Sequence, residues 1–239
     1  MSILAPRVLC LQHNERVRAL SVATWAAERG VDLTILRVDE APLPAADAFT
    51  CVVVLGGSMN TDDVAANPWL DDERAFLRAV IQRPEARVFG ICLGAQLLAE
   101  ALGGSVSRAT EREIGWHRIE LTPAGQSSRV FGAAPPAFDA MEWHGDAWTL
   151  PPTATLIASS LTCATQAFEW EGRVFAVQFH PEFTYSRTRE LVATTTDDLS
   201  TGAHVQSPEA ILADPARFEA PRMLLYAWLD RALLTERSA

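Results

Sequence analysis

Cys92 stands at the end of an apolar run, inside Gly90-Ile91-Cys92-Leu93-Gly94-Ala95-Gln96. The pattern reads as a buried strand that stops at the cysteine, with a helix starting at the next residue. Such a turn thrusts its side chain out at the carboxyl end of a sheet, and the crowding there accounts for the flanking glycines. Free N–H groups at the helix start favour a thiolate, so Cys92 can serve as a nucleophile. The plainer alternative is a buried small hydrophobe, a common fate of cysteine. A thiol nucleophile needs an imidazole as base, and the imidazole needs a third group to hold its tautomer. Phe179-His180-Pro181-Glu182 supplies both, again directly after an apolar run. Pro181 biases His180 away from helix, and on an extended segment residues i and i+2 point the same way, so Glu182 can reach His180. Standing alone, this stretch would be an exposed turn. A third run, Leu55-Gly56-Gly57-Ser58-Met59-Asn60, puts two glycines after a strand. Its backbone N–H, with that of Leu93, can form an oxyanion hole; alone it would be an ordinary glycine turn.

These groups need a scaffold, and the hydrophobic rhythm describes one. Strands are expected at 7–11, 33–38, 51–55 and 87–91. Helices are expected at 16–29, with Gly30 as the stop, at 68–82, with Asn67 as cap and Pro68 in the first position, and at 93–102. Apolar strands alternating with helices mean a parallel sheet covered on both faces, an α/β fold. The second half changes rhythm. Strands are expected at 113–121, 140–143, 155–159, 165–170 and 173–179, with Glu171-Gly172 as a hairpin turn and antiparallel pairing. Residues 182–239 read as mostly helical, broken at Gly202 and around Pro208, Pro215 and Pro221. All three motifs fall at carboxyl ends of strands, where open α/β sheets bind ligands.

Taken together and in this order, the motifs resemble those of the class I glutamine amidotransferases. Members carry G-x-C-x-G-x-Q for the nucleophile, H-P-E for the base and its orienting acid, and an earlier Gly-Gly oxyanion strand. The resemblance covers about residues 7–182. Glu113-Ile114-Gly115-Trp116 is similar to the stretch after the nucleophile helix in stand-alone members. Trp143-His144-Gly145-Asp146 resembles the H-G-D stretch of the GMP-synthase-type branch, as do Gln166-Ala167-Phe168 and Val177-Gln178-Phe179-His180. The resemblance implies a flavodoxin-like open, mostly parallel sheet, with a small antiparallel region and a helical C-terminal tail. It implies that Cys92 attacks the glutamine amide, that His180 activates the thiol and protonates ammonia, and that Glu182 orients His180. The N–H groups of Gly57 and Leu93 would hold the oxyanion. Gly56, Gln96, His144 and the backbone at Gly145 and Asp146 would bind the rest of the substrate. No cofactor and no metal is implied.

Composition narrows the partners. All 20 basic residues are arginine. A Schiff-base lysine, a pyridoxal phosphate anchor and a phosphate-loop lysine are therefore excluded in this chain. A net charge of −10 argues against a nucleic-acid or anionic-membrane binder. No apolar stretch approaches a membrane span, and residues 1–12 do not read as a signal peptide. Four cysteines without metal-ligand spacing fit free thiols in the cytoplasm. Cys10 and Cys51 are expected in the core, and Cys163 carries no role. His13, His117 and His204 are expected on the surface or in structural roles. The chain is expected to be one domain, 1–239, with a core at 7–182 and a helical extension at 183–239. That extension is too short for an ATP-using synthetase. The expected substrate is glutamine or another γ-glutamyl compound, with a separate ammonia-accepting synthetase as partner. The alternatives are a stand-alone γ-glutamyl peptide or amide hydrolase and a catalytically silent partner-binding homologue.

Overall fold

The computed structural model describes residues 7–195, 199 and 202–234. The sequence readings at 1–6, at the remaining positions of 196–201 and at 235–239 lie outside the described residues. In the first half, β1 (Arg7–Gln12), α1 (Leu20–Arg29), β2 (Asp32–Arg37), β3 (Cys51–Val54), α2 (Trp69–Ile81), β4 (Arg87–Ile91) and α3 (Leu93–Ala101) alternate. Next come β5 (Val106–Leu121), α4 (Pro123–Ser127), β6 (Ala137–Trp148), β7 (Thr155–Ser159), β8 (Ala167–Trp170) and β9 (Val174–Val177). Then follow α5 (Tyr185–Thr194), α6 (Pro208–Ile211) and α7 (Glu219–Leu229), the last continued by a π-helical turn at Asp230–Leu234.

The strands form one nine-stranded sheet in the order β2-β1-β3-β4-β9-β8-β7-β5-β6. The first five run parallel, and the rest continue the sheet antiparallel. The inner parallel strands are apolar throughout because both of their faces are covered. Val8, Cys10, Val53, Phe89, Ile91 and Phe175 share a core with α1 and α7. Their alternates Leu9, Leu11, Val52, Val54, Val88 and Ala176 pack under α2 and α3. A third cluster joins Ile114, Trp116 and Met141 of the long β5–β6 ribbon to Phe183, Leu191, Ile211 and Phe218.

Several expectations shift at their boundaries. Helix α1 starts at Leu20, later than expected, because Asn14 Oδ1 takes the N–H groups of Arg16 and Val17 at 2.9 and 3.2 Å. That side chain offers the backbone an alternative to helix. Asn67 does not cap α2 through its side chain; its amide donates to the Asp63 carbonyl at 3.2 Å. Strand β5 outruns its expected span because added residues such as Ser107, Arg108 and Glu111 are polar and exposed, whereas β6 gains Phe138 and, beyond Trp143, the buried polar residues His144 and Asp146, which interrupt its apolar run. Glu171 (φ 50°) and Gly172 (φ 65°) form the expected hairpin turn between β8 and β9. Pro208 and Pro215 open helical segments behind the caps Ser207 and Asp214, and so start structure where the sequence suggested breaks.

Candidate active site

The carboxyl edge of the parallel strands gathers the three motifs. β3 leads to Gly56 and Gly57, β4 to Cys92, and β9 to His180. Cys92 sits at φ 50°, ψ −110°, a conformation that non-glycine residues adopt only when their surroundings enforce it. Backbone bonds enforce it here: Cys92 N–H donates to the Val177 carbonyl at 2.9 Å, and Gly94 N–H to that of Leu55 at 3.0 Å. Gly94 lets α3 lie directly on β3, since a Cβ there would stand 2.3 Å from the Val54 carbonyl oxygen. Gly56 abuts the reacting groups; a Cβ there would meet His180 Cε1 at 3.0 Å and Cys92 Cβ at 3.4 Å.

His180 and Glu182 meet as their spacing suggested, with Nδ1 2.8 Å from Oε1 and both side chains buried. Cys92 stands on the same cavity wall as this ring and acts on its proton affinity. Phe183 stacks on the imidazole at 4.2 Å between centroids. Two bonds anchor the backbone of this stretch: His180 N–H to the Met141 carbonyl at 2.7 Å, and Ser21 Oγ to the Glu182 carbonyl at 2.6 Å. Burial by itself would lower the affinity of His180 for its proton. The Glu182 charge and the sulfur outweigh burial and hold the imidazole well above its ordinary value. Burial raises the thiols of Cys10 and Cys51 and lifts that of Cys163 to about 11. All four are free.

The remaining candidates surround a cavity of about 530 Å³. Gly57, Leu93, Gln96, His144, Gly145 and Asp146 line it together with Cys92 and His180. Gln96 is steadied by Gln178, Nε2 to Oε1 at 3.3 Å. Arg108 grips the Asp146 carboxylate at 2.7 and 2.6 Å. His144 supports the same rim from behind. Its Nδ1 faces the Asp146 carbonyl at 2.9 Å and must donate; its Nε2 faces Glu113 at 3.1 Å and Glu142 at 3.3 Å.

Glu113 also receives hydrogen bonds from Ser160, Thr162 and Gln166. Burial opposes its charge, but the bonds from His144, Ser160 and Thr162 prevail and hold its carboxyl at about 2. Glu142 is fully buried, and neither oxygen has a hydrogen-bond partner. Burial and then the nearby Glu113 charge push it well above the usual carboxylate range, so its neutral form is favoured. Glu113, His144 and Cys163 bring ligand atoms within 4.8 Å of one another, as a metal ion would require. The Glu113 oxygens and both His144 nitrogens are engaged in the hydrogen bonds just described, so the set reads as a polar network.

Glu113 and His144 were singled out as parts of motifs, but the sequence reading did not join them, and it missed Glu142. The signal was present, because Glu142, His144 and Asp146 alternate on one face of β6. His13 takes the structural one of its two expected roles: it follows β1 at the same sheet edge, is fully buried, and bonds the Gly56 carbonyl and Glu73.

A sharp cysteine turn, a His-Glu pair and a glycine turn on the carboxyl edge of such a sheet define a class, and the comparisons agree. The family model for class-I glutamine amidotransferases matches residues 19–196, and the chain belongs to that family. It is 33% identical over 198 residues to a glutamine amidotransferase-like protein of Salmonella typhimurium, covering 81% of this chain and 83% of the other. It is 32% identical over 164 residues to a glutamine-hydrolysing GMP synthase subunit of Thermoplasma acidophilum, covering 67% of this chain and 76% of that one. Against the full-length GMP synthase of Aeromonas hydrophila, it spans only 21% of the relative's length. The crystal structure of a glutamine amidotransferase from Methylobacillus flagellatus superposes with a TM-score of 0.87 at 29% identity, covering 97% of each chain.

Proposed function

We propose that the chain hydrolyses the side-chain amide of glutamine. The observation that carries this is the juxtaposition of Cys92, on its strained turn, with the His180–Glu182 pair at 2.8 Å on the wall of the cavity. His180 takes the proton of the Cys92 thiol as the sulfur attacks the γ-carbonyl carbon, and the N–H groups of Gly57 and Leu93 hold the oxygen as it gains charge. The C–N bond breaks, and His180 gives its proton to the departing ammonia. A γ-glutamyl thioester remains on Cys92. Water then attacks the thioester carbon, His180 takes the proton from it, and Cys92 leaves as glutamate forms. Glu182 orients the ring in both halves. Gln96 and the backbone at Gly145 and Asp146 receive the α-amino and α-carboxylate groups. His144 and Gly56 shape the pocket.

We further infer one domain: α7 buries Leu225, Trp228 and Leu229 in the core shared with α1 and the sheet. The described residues of 183–234 thus extend the core at 7–182, which supports reading 183–239 as its extension. A separate synthetase would consume the ammonia, a reading supported by the likeness to the Thermoplasma GMP synthase subunit. Among the described residues no helix is long and apolar enough to cross a membrane, and four free thiols suit a reducing cytoplasm. A second reading, hydrolysis of a larger γ-glutamyl amide or peptide, is favoured by the cavity volume. At about 530 Å³ it matches pockets that enclose drug-sized ligands, and glutamine is smaller.

The test measures ammonia release from glutamine and amine release from γ-glutamyl peptides, with and without candidate partners captured by pull-down. Release from glutamine that vanishes in Cys92→Ala supports the first reading. Peptide turnover far above glutamine turnover supports the second. An inert wild type that also fails to label at Cys92 would leave a silent partner-binding homologue.

A further inference from the structure

We propose that His13, backed by Glu73, is a positioning residue that fixes and polarises the oxyanion-hole peptide between Gly56 and Gly57. The proposal rests on the hydrolytic reading above and deepens it. The C=O of Gly56 and the N–H of Gly57 belong to one planar peptide group. Whatever holds one end sets the direction of the other. His13 Nδ1 lies 2.9 Å from the Gly56 carbonyl oxygen, so this nitrogen must be the donor. Its Nε2 lies 3.0 and 3.1 Å from the two oxygens of Glu73 on α2. Both residues are fully buried. Trp69, at the start of α2, stacks on the ring with centroids 5.6 Å apart and planes 21° from parallel. The ring can neither tilt nor slide without breaking one of these contacts.

Two consequences follow for the hole. Gly57 lines the cavity beside Cys92, and its N–H donates to no backbone carbonyl among the described residues. Its direction is set from the far side of the peptide, where no substrate touches. A donor on the carbonyl also polarises the peptide and strengthens its N–H as a donor, because hydrogen bonds in a chain reinforce one another. The effect grows with charge on the ring. A buried imidazole facing a carbonyl on one side and a carboxylate on the other is best satisfied when both nitrogens carry protons. Burial opposes that charge, while Glu73 and the Gly56 carbonyl favour it and prevail, with a smaller contribution from Asp39. A Cβ at Gly57 would stand 2.5 Å from Met59 Sδ and 2.6 Å from Leu93 Cδ2, the ends of side chains that can shift. The firm hold on the turn is therefore the one from behind, at His13.

The test compares two substitutions of the whole chain. An asparagine amide reaches the place of Nδ1 and keeps a donor for Gly56. A glutamine amide reaches toward Glu73 and leaves Gly56 without one. Removing an oxyanion donor costs about 10²–10³-fold in kcat, and misdirecting one should cost less. His13→Gln is therefore expected to lower kcat about 30-fold with KM within about threefold, while His13→Asn stays within about fivefold of wild type. A readout without turnover accompanies this. Labelling of Cys92 by a glutamine-like diazo ketone, whose oxygen occupies the hole, should slow in His13→Gln, whereas capture by iodoacetamide, which needs no hole, should not. Equal kcat in all three proteins would overturn the proposal. So would a loss shared by both variants with raised KM and a lowered unfolding midpoint, since that is a purely structural role. A wild type inert to glutamine, γ-glutamyl peptides and the diazo ketone would instead defeat the hydrolytic reading, and this proposal with it.

Discussion

At the scale of the residue, the site works by placing charges against burial. His180 lies out of water, yet Glu182 and the Cys92 sulfur keep it protonated more readily than a free imidazole. The sign gives a test. A raised value means that the charged ring persists to higher pH and is lost as pH rises through the raised value. Glu182→Gln removes the charge that raises it. The alkaline limb of the kcat/KM profile should move to lower pH, and the rate should fall by about 10²-fold or more, as happens when an orienting acid is neutralised. An unmoved limb would mean that Glu182 does not act on His180. This pair was legible in the sequence, because Pro181 forces an extended backbone and the i, i+2 spacing does the rest. Glu142 was legible only in part. Its alternation with His144 and Asp146 on β6 could be read, but its meeting with Glu113 of β5 and with Gln166 ahead of β8 could not, because no local pattern announces which groups meet across separate strands.

At the scale of the element, the nucleophile depends on how closely α3 can lie on β3. Gly94 permits it, and Gly30 shows by contrast what a glycine costs when only its backbone angle matters. Gly30 sits at φ 64° with nothing within 4 Å of the place a methyl would take, so Gly30→Ala should cost about 1–2 kcal/mol. Gly94→Ala drives a methyl into the Val54 carbonyl and should cost about 3 kcal/mol, with activity lost in the protein that still folds. Chemical denaturation with a parallel rate assay checks both. Most elements could be read from hydrophobic rhythm because the inner parallel strands are apolar on both faces. The misread boundaries have local causes. The Asn14 side chain delays α1, exposed polar residues hide the outer part of β5, buried polar residues His144 and Asp146 hide that of β6, and prolines behind good caps start helical turns.

At the scale of the whole molecule, the C-terminal helices and the polar network tie the two halves together. Trp228 is fully buried and packs on Phe131, Phe138 and Phe179, with centroids 5.3, 5.9 and 6.0 Å away. Trp228→Ala should cost about 3–5 kcal/mol and lower the midpoint of a single unfolding transition. Two separate transitions in the wild type would contradict the one-domain reading. Glu113 provides a pH signature. Its carboxyl is held at about 2 against an ordinary 4.5, so its stabilisation is complete above the ordinary value and is lost as pH falls toward 2. The contribution at neutral pH is about 3 kcal/mol. Glu113→Gln should be less stable by about that amount at pH 7 and should approach wild type near pH 2, as followed by denaturant midpoints across the acid range. A constant gap across that range would mean that the network is not charged.

The central claim is that Cys92 alone among four cysteines is built to attack a γ-glutamyl carbonyl. The most direct measurement treats the intact protein with a glutamine-like diazo ketone and maps the adduct by peptide mass spectrometry. The expected result is one adduct, on Cys92, blocked by excess glutamine and absent in Cys92→Ala, with Cys10, Cys51 and Cys163 untouched. An adduct elsewhere, or none at Cys92 while iodoacetamide still reaches it, would contradict the claim.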